Sequence, residues 1–161
     1  MKLYHGSLEV VRLPQIRMSQ RRLDYGQGFY ATTSSTQAEG WTKRKMENAG
    51  KSLGYVNIYD FDEEAIAALH SLIFRHPDEA WLEFVMRNRQ DPEFNHDYDI
   101  VYGPVANDKV YAAFSLYEAG ILDKRSLIAE LKTYRLVDQY LFHTDRALQR
   151  LTFSGLKEIK L

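Results

Sequence analysis

The sequence predicts a single compact α+β domain over residues 1–161, and three observations carry that expectation. Strand-like segments stand at both ends of the chain with helix-like segments between them, which suits helices packed on antiparallel sheet. The length suits one domain, which at this size buries roughly 70% of the surface its unfolded chain exposes and needs no covalent staple. No internal repeat, low-complexity tract or linker-like stretch divides the chain.

The elements follow in order. "MKLYHGS" reads as a first strand closed by Gly6 and Ser7, and "LEVVRLPQIR" as extended or turning, punctuated by Pro14. "RRLDYGQGFYATT" carries Gly26 and Gly28 into an aromatic strand. "SSTQAEGWTKRKMENAGKS" reads as a helix capped by Ser34 or Ser35, since a short hydroxyl satisfies free first-turn amides. "LGYVNIYDFD" alternates as a strand. "DEEAIAALHSLIFRHPDEAWLEFVMRNRQ" has helical periodicity broken at Pro77. Ala65, Ala68, Leu69, Leu72 and Ile73 form one apolar stripe there, and Trp81, Phe84 and Val85 the next. "YDIVYGPVAND" is an apolar strand ending in a Gly-Pro turn. "KVYAAFSLYEAG", stopped by Gly120, and "DKRSLIAELKT" are helices. "YRLVDQYLFHT" is a strand, "DRALQRLTF" a short helix or turn, and "SGLKEIKL" a final strand or tail.

Composition limits the chemistry. With 45% hydrophobic and 27% charged residues the chain reads as soluble and globular. The absence of cysteine excludes disulfides, thiol catalysis and thiolate metal sites. A formal net charge of -1 gives no bulk attraction to nucleic acid or anionic membrane. The N-terminus lacks a signal-peptide pattern and no window approaches 18 uninterrupted apolar residues, so a cytoplasmic location is expected. His70, His76 and His96 show no metal-ligand spacing, so no metal is expected.

Two stretches carry chemistry. In "YHGS", a glycine after His5 lets backbone approach a flat ligand, and a neutral imidazole can donate to a ribose hydroxyl. A satisfied histidine at a strand end is the plainer account. In "GQGFYATTSSTQAEGW", Tyr30 ends a strand and Trp41 lies eleven residues on in a helix. Two such rings can clamp a planar cationic heterocycle, or can simply be core aromatics under a helix. Asp24, Gly26 and Gly28 form a turn that could wrap a phosphate with backbone amides, and Arg21 and Arg22 could pair with a pyrophosphate. "TKRKMENAGK" is a short basic helix, read as a solvated face. His143 and Thr144 read as structural.

Taken together, "YHGS", "GFYAT" and an aromatic eleven residues later resemble the diphtheria-toxin branch of the ADP-ribosyltransferases, most closely over residues 3 to 60. The resemblance implies split antiparallel β-sheets around an NAD cleft with peripheral helices. It implies that His5 binds the adenosine-side ribose, that the Gly6 backbone holds the nicotinamide amide with Ser7 beside it, and that Tyr30 and Trp41 sandwich the nicotinamide. Asp24 and Gly28 join the expected cofactor-binding set. Gln139, in "DQYLFHT", falls where the toxins carry a catalytic glutamate, and is expected with Tyr30 and His5 as the catalytic set.

That departure matters because breaking the nicotinamide–ribose bond builds positive charge on the ribose, which a carboxylate stabilises. A glutamine keeps an acceptor but brings no charge. Asp99 and Asp108 are the more interesting compensating carboxylates, while Asp138 is expected to face away because neighbouring strand residues alternate. "LYHGS", "DYGQGFYAT", "YDIVYGPVAND" and "QYLFHT" also resemble a bacterial family of unknown function within that superfamily, over residues 3 to about 153. That resemblance implies that glutamine at position 139 is the family's own choice and not a decayed glutamate. The implied activity is mono-ADP-ribosylation of a protein or nucleic-acid target, with an antitoxin as a possible partner. A non-catalytic NAD- or nucleotide-binding module and a protein-interaction protein are the rivals. If the site merely lacks charge, Gln139→Glu is expected to raise turnover sharply.

Overall fold

The computed structural model describes residues 1–19 and 23–161. The pairing of Arg21 and Arg22 with a pyrophosphate lies outside the described residues. The chain folds as an α+β domain built on two sheets. One is antiparallel, in the order β1 (Lys2–Ser7), β3 (Leu53–Phe61), β7 (Leu151–Lys160). The other runs β2 (Phe29–Ala31), β6 (Asp138–Phe142), β5 (Ile100–Pro104), β4 (Ser71–Ile73), with β4 parallel to β5.

The helices pack around these sheets. α1 (Ser35–Ala49) starts at Ser34, whose side chain accepts from the Gln37 amide, and ends at Gly50 in the left-handed region. Its buried residues Ala38, Thr42 and Met46 are four apart, so one face lies against the first sheet. α3 (Glu79–Gln90), α4 (Asp108–Glu118) and α5 (Lys124–Leu131) enclose a core around Trp81, Val110, Phe114 and Leu127. A second core between the two sheets joins Leu3 and Tyr59 to Phe29, Ile100 and Phe142.

One expected helix is corrected. The stripe through Leu72 and Ile73 is not continuous helix: α2 (Glu64–Ala68) is short, and Ser71–Ile73 pair with Ile100–Tyr102 as β4. The edge of β5 needs a partner for its backbone groups, and that tertiary demand outweighs the local helical period. No helix among the described residues is long and apolar enough to cross a membrane.

Candidate active site

The sheets meet at one backbone bridge. The Tyr4 amide donates to the Thr32 carbonyl at 2.8 Å and the Thr32 amide to the Tyr4 carbonyl at 2.9 Å. Tyr4 thus turns both backbone groups away from β3, and Gly6, two residues on, turns its own to the same side. Next to this bridge lies a cleft of about 800 Å³ whose walls include His5, Ser7, Asp24, Gly28, Tyr30, Trp41 and Gln139. Its size is within the range of small-molecule sites. The sequence-predicted residues therefore converge, with the exception of Gly6.

Gly6 lies behind the wall. A Cβ there would sit 2.5 Å from Thr42 Oγ1 and 2.6 Å from the Ala38 carbonyl, so the glycine is required by the seating of α1 on β1. Its carbonyl is already bonded by Lys45 Nζ at 2.6 Å. Ser7 Oγ accepts from the Glu9 amide at 3.2 Å and keeps its own proton to donate.

His5 is fixed by a 2.6 Å bond between Nδ1 and the Tyr30 carbonyl and by stacking on Phe29 at 4.2 Å. A carbonyl only accepts, so Nδ1 carries the proton and Nε2 is an acceptor. The expectation that His5 donates to a ribose hydroxyl is thus corrected: a hydroxyl meeting Nε2 would have to be the donor. Burial, then the charges of Lys45 and Arg17, lower its pKa to about 4 against the opposing bond to Tyr30, so the ring is neutral at physiological pH.

Tyr30 donates from its hydroxyl to the Gly26 carbonyl and accepts from the Tyr25 amide at 3.2 Å. Burial pushes its phenol well above the usual range, so it is a fixed neutral ring. Trp41 belongs to a second stripe of α1, with Gln37, Arg44 and Lys45, that faces the cleft. The basic segment is a solvated face as expected, with Lys43, Arg44 and Lys45 all exposed, and Arg44 and Lys45 stand at the rim of the cleft.

The turn before β2 is anchored from several sides. The Tyr25 hydroxyl donates to the Pro104 carbonyl at 2.7 Å and accepts from Trp81 Nε1 at 2.9 Å. His96 Nε2 bonds the Tyr25 carbonyl at 2.7 Å, and His143 bonds the Gln27 carbonyl, a structural role. This scaffold holds Asp24 at the cleft wall with its side chain 10% exposed.

Asp24 and Gln139 form the polar end of the cleft. Gln139 is 5% exposed, and its Nε2 donates to Asp24 Oδ2 at 3.4 Å. Arg89 Nη1 and the Tyr111 hydroxyl reach Oδ1 at 3.5 and 3.3 Å, and the Arg89 guanidinium lies over the Tyr111 ring at 4.2 Å. Burial raises the Asp24 carboxyl above the ordinary range, opposed by Arg89, the Ala106 amide, Gln139 and Tyr111. The phosphate-wrapping expectation for this turn is corrected. Its side chain presents a carboxyl group, the wrong sign for phosphate when ionised, and the Gly26 amide is spent on the Leu23 carbonyl at 3.2 Å.

The other weighed carboxylates are placed as follows. Asp99 is 1% exposed and bonded by Thr144, the His70 amide and Arg146. Burial pushes it up, but those bonds outweigh it and hold it below the ordinary range. Asp138 holds Thr32, Thr33 and the Tyr102 hydroxyl. Asp108 lines the cleft at the first turn of α4. Arg89 and Tyr111 escaped sequence reasoning because they come from helices far along the chain and carry no local motif.

No curated protein and no solved structure matches this chain. A family model described as "Protein of unknown function (DUF3990)" matches residues 1–153. The chain belongs to that family.

Proposed function

We propose that the chain is an NAD-dependent mono-ADP-ribosyltransferase acting on a protein or nucleic-acid target. The observation that supports this best is the meeting of His5, Tyr30, Trp41 and Gln139 in one cleft from β1, β2, α1 and β6. Nicotinamide carries a positive charge in NAD, and the electron-rich faces of Tyr30 and Trp41 favour it. His5 Nε2 accepts from a ribose hydroxyl, and Arg44, Lys45 and Arg17, which also line the cleft, balance the pyrophosphate. Gln139 accepts from the 2′-hydroxyl. The C1′–N bond then breaks and nicotinamide leaves with both bonding electrons, which transfers the positive charge to the ribose. A target nucleophile bonds C1′ and releases its proton to water.

Calorimetry with NAD and transfer of label from NAD to lysate components test the reading. Wild type should bind and label. Trp41→Ala should weaken NAD about 5- to 150-fold, the size expected from losing about 1–3 kcal/mol of stacking. A wild-type protein that neither binds NAD nor labels anything rules the reading out. Binding without turnover would favour the alternative, a non-catalytic NAD or nucleotide module, to which the uncharged Gln139 side chain lends support. A toxin paired with an antitoxin is the biological setting this reading suggests.

A further inference from the structure

We propose that the Asp24 carboxylate supplies the negative charge that Gln139 lacks, and faces the ribose cation as nicotinamide leaves. This rests on the NAD reading above and adds a catalytic residue to it. Asp24 lines the same cleft as Tyr30, Trp41 and Gln139. It is reached from the opposite end of the sequence, so no motif around Gln139 discloses it.

The contacts divide the carboxylate between two tasks. Arg89 and Tyr111 both address Oδ1, at 3.5 and 3.3 Å, while Gln139 Nε2 addresses Oδ2 at 3.4 Å. The Arg89 contact opposes the tendency of burial to protonate the group. The bond to Oδ2 turns the nitrogen of the Gln139 amide toward Asp24 and sets its oxygen, an acceptor, on the other side. Asp24 and Gln139 together then offer what one glutamate would: an acceptor and a charge. A carboxylate this buried costs desolvation, and among the described residues the groups that offset it, Arg89, Tyr111, Gln139 and the Ala106 amide, are all donors. Such costs concentrate where chemistry demands them. Asp24 forms no covalent bond. The electron pair of the broken C1′–N bond leaves on nicotinamide, and the cation is consumed by the nucleophile.

The test compares wild type, Asp24→Asn, Gln139→Glu and the double variant, with NAD affinity by calorimetry and nicotinamide release measured separately. Asp24→Asn should stay folded, bind NAD within a few-fold of wild type, and release nicotinamide roughly 100- to 1,000-fold more slowly, the usual loss for one such stabiliser. Gln139→Glu alone should bring no sharp rise, because two carboxylates this close share a proton rather than both ionise. The double variant moves the charge to position 139 and should recover at least about tenfold of the loss, which a purely structural Asp24 would not allow.

Wild-type turnover in Asp24→Asn, a sharp gain in Gln139→Glu, or a double variant as slow as Asp24→Asn overturns the role of Asp24 and leaves the NAD reading standing. Wild type that binds NAD without releasing nicotinamide also overturns it. Wild type that binds no NAD sinks both.

Discussion

Gly28→Ala should lower the melting temperature by about 10 °C, with a loss of about 3 kcal/mol built from backbone strain and overpacking. Gly28 has φ 153°, and an added Cβ would lie 2.5 Å from the Phe142 carbonyl and 2.5 Å from Leu141 Cδ1. The leucine can rotate. The carbonyl cannot, because it belongs to β6, which pairs with β2 on one side and β5 on the other. Gly40, on α1, is the control: nothing lies within 4 Å of its Cβ position, so Gly40→Ala should stabilise by up to about 1 kcal/mol through helix propensity. Scanning calorimetry of the two variants decides the matter. Equal melting temperatures would mean that β2 does not lie against β6 as described.

Acidification should destabilise the protein through His5. Its pKa in the fold is about 4, below the unfolded value of 6.5. Between those values the unfolded chain takes up a proton that the folded chain refuses. The stability is therefore complete above pH 6.5, falls as pH drops, and stops falling through this group near pH 4. The loss has a ceiling of about 3 kcal/mol. His96, whose pKa burial also lowers, adds in the same direction. Urea denaturation at pH 7 and pH 4.5 measures the difference. In His5→Gln, which can keep a donor toward the Tyr30 carbonyl, the difference should shrink by more than half. An unchanged difference would show that the imidazole is not shielded from water.

Most of the fold was legible because its signals are local. Ser34 as a cap, Gly120 as a stop and the alternation in "GYVNIYDF" each report on their own neighbourhood. β4 was not legible: three residues between α2 and α3 become strand only because β5 offers them an edge. The aromatic and histidine parts of the site could be read for the same local reason. The roles of the glycines could not, since Gly6 and Gly28 answer to α1 and β6, segments distant in sequence. Nor could the pairing of Asp24 with Gln139, 115 residues apart, which depends on Tyr25, Trp81 and His96 fixing one turn.

The lysine contact at Gly6 bears on what the protein avoids. A sheet margin with unspent amides is a template on which another polypeptide can add itself and begin to aggregate. Past Tyr4 the outer margin of β1 is such a place, and the ammonium of Lys45 sits on its carbonyl. An incoming strand would have to strip and displace that cation. Lys45 thus guards the margin against an added strand.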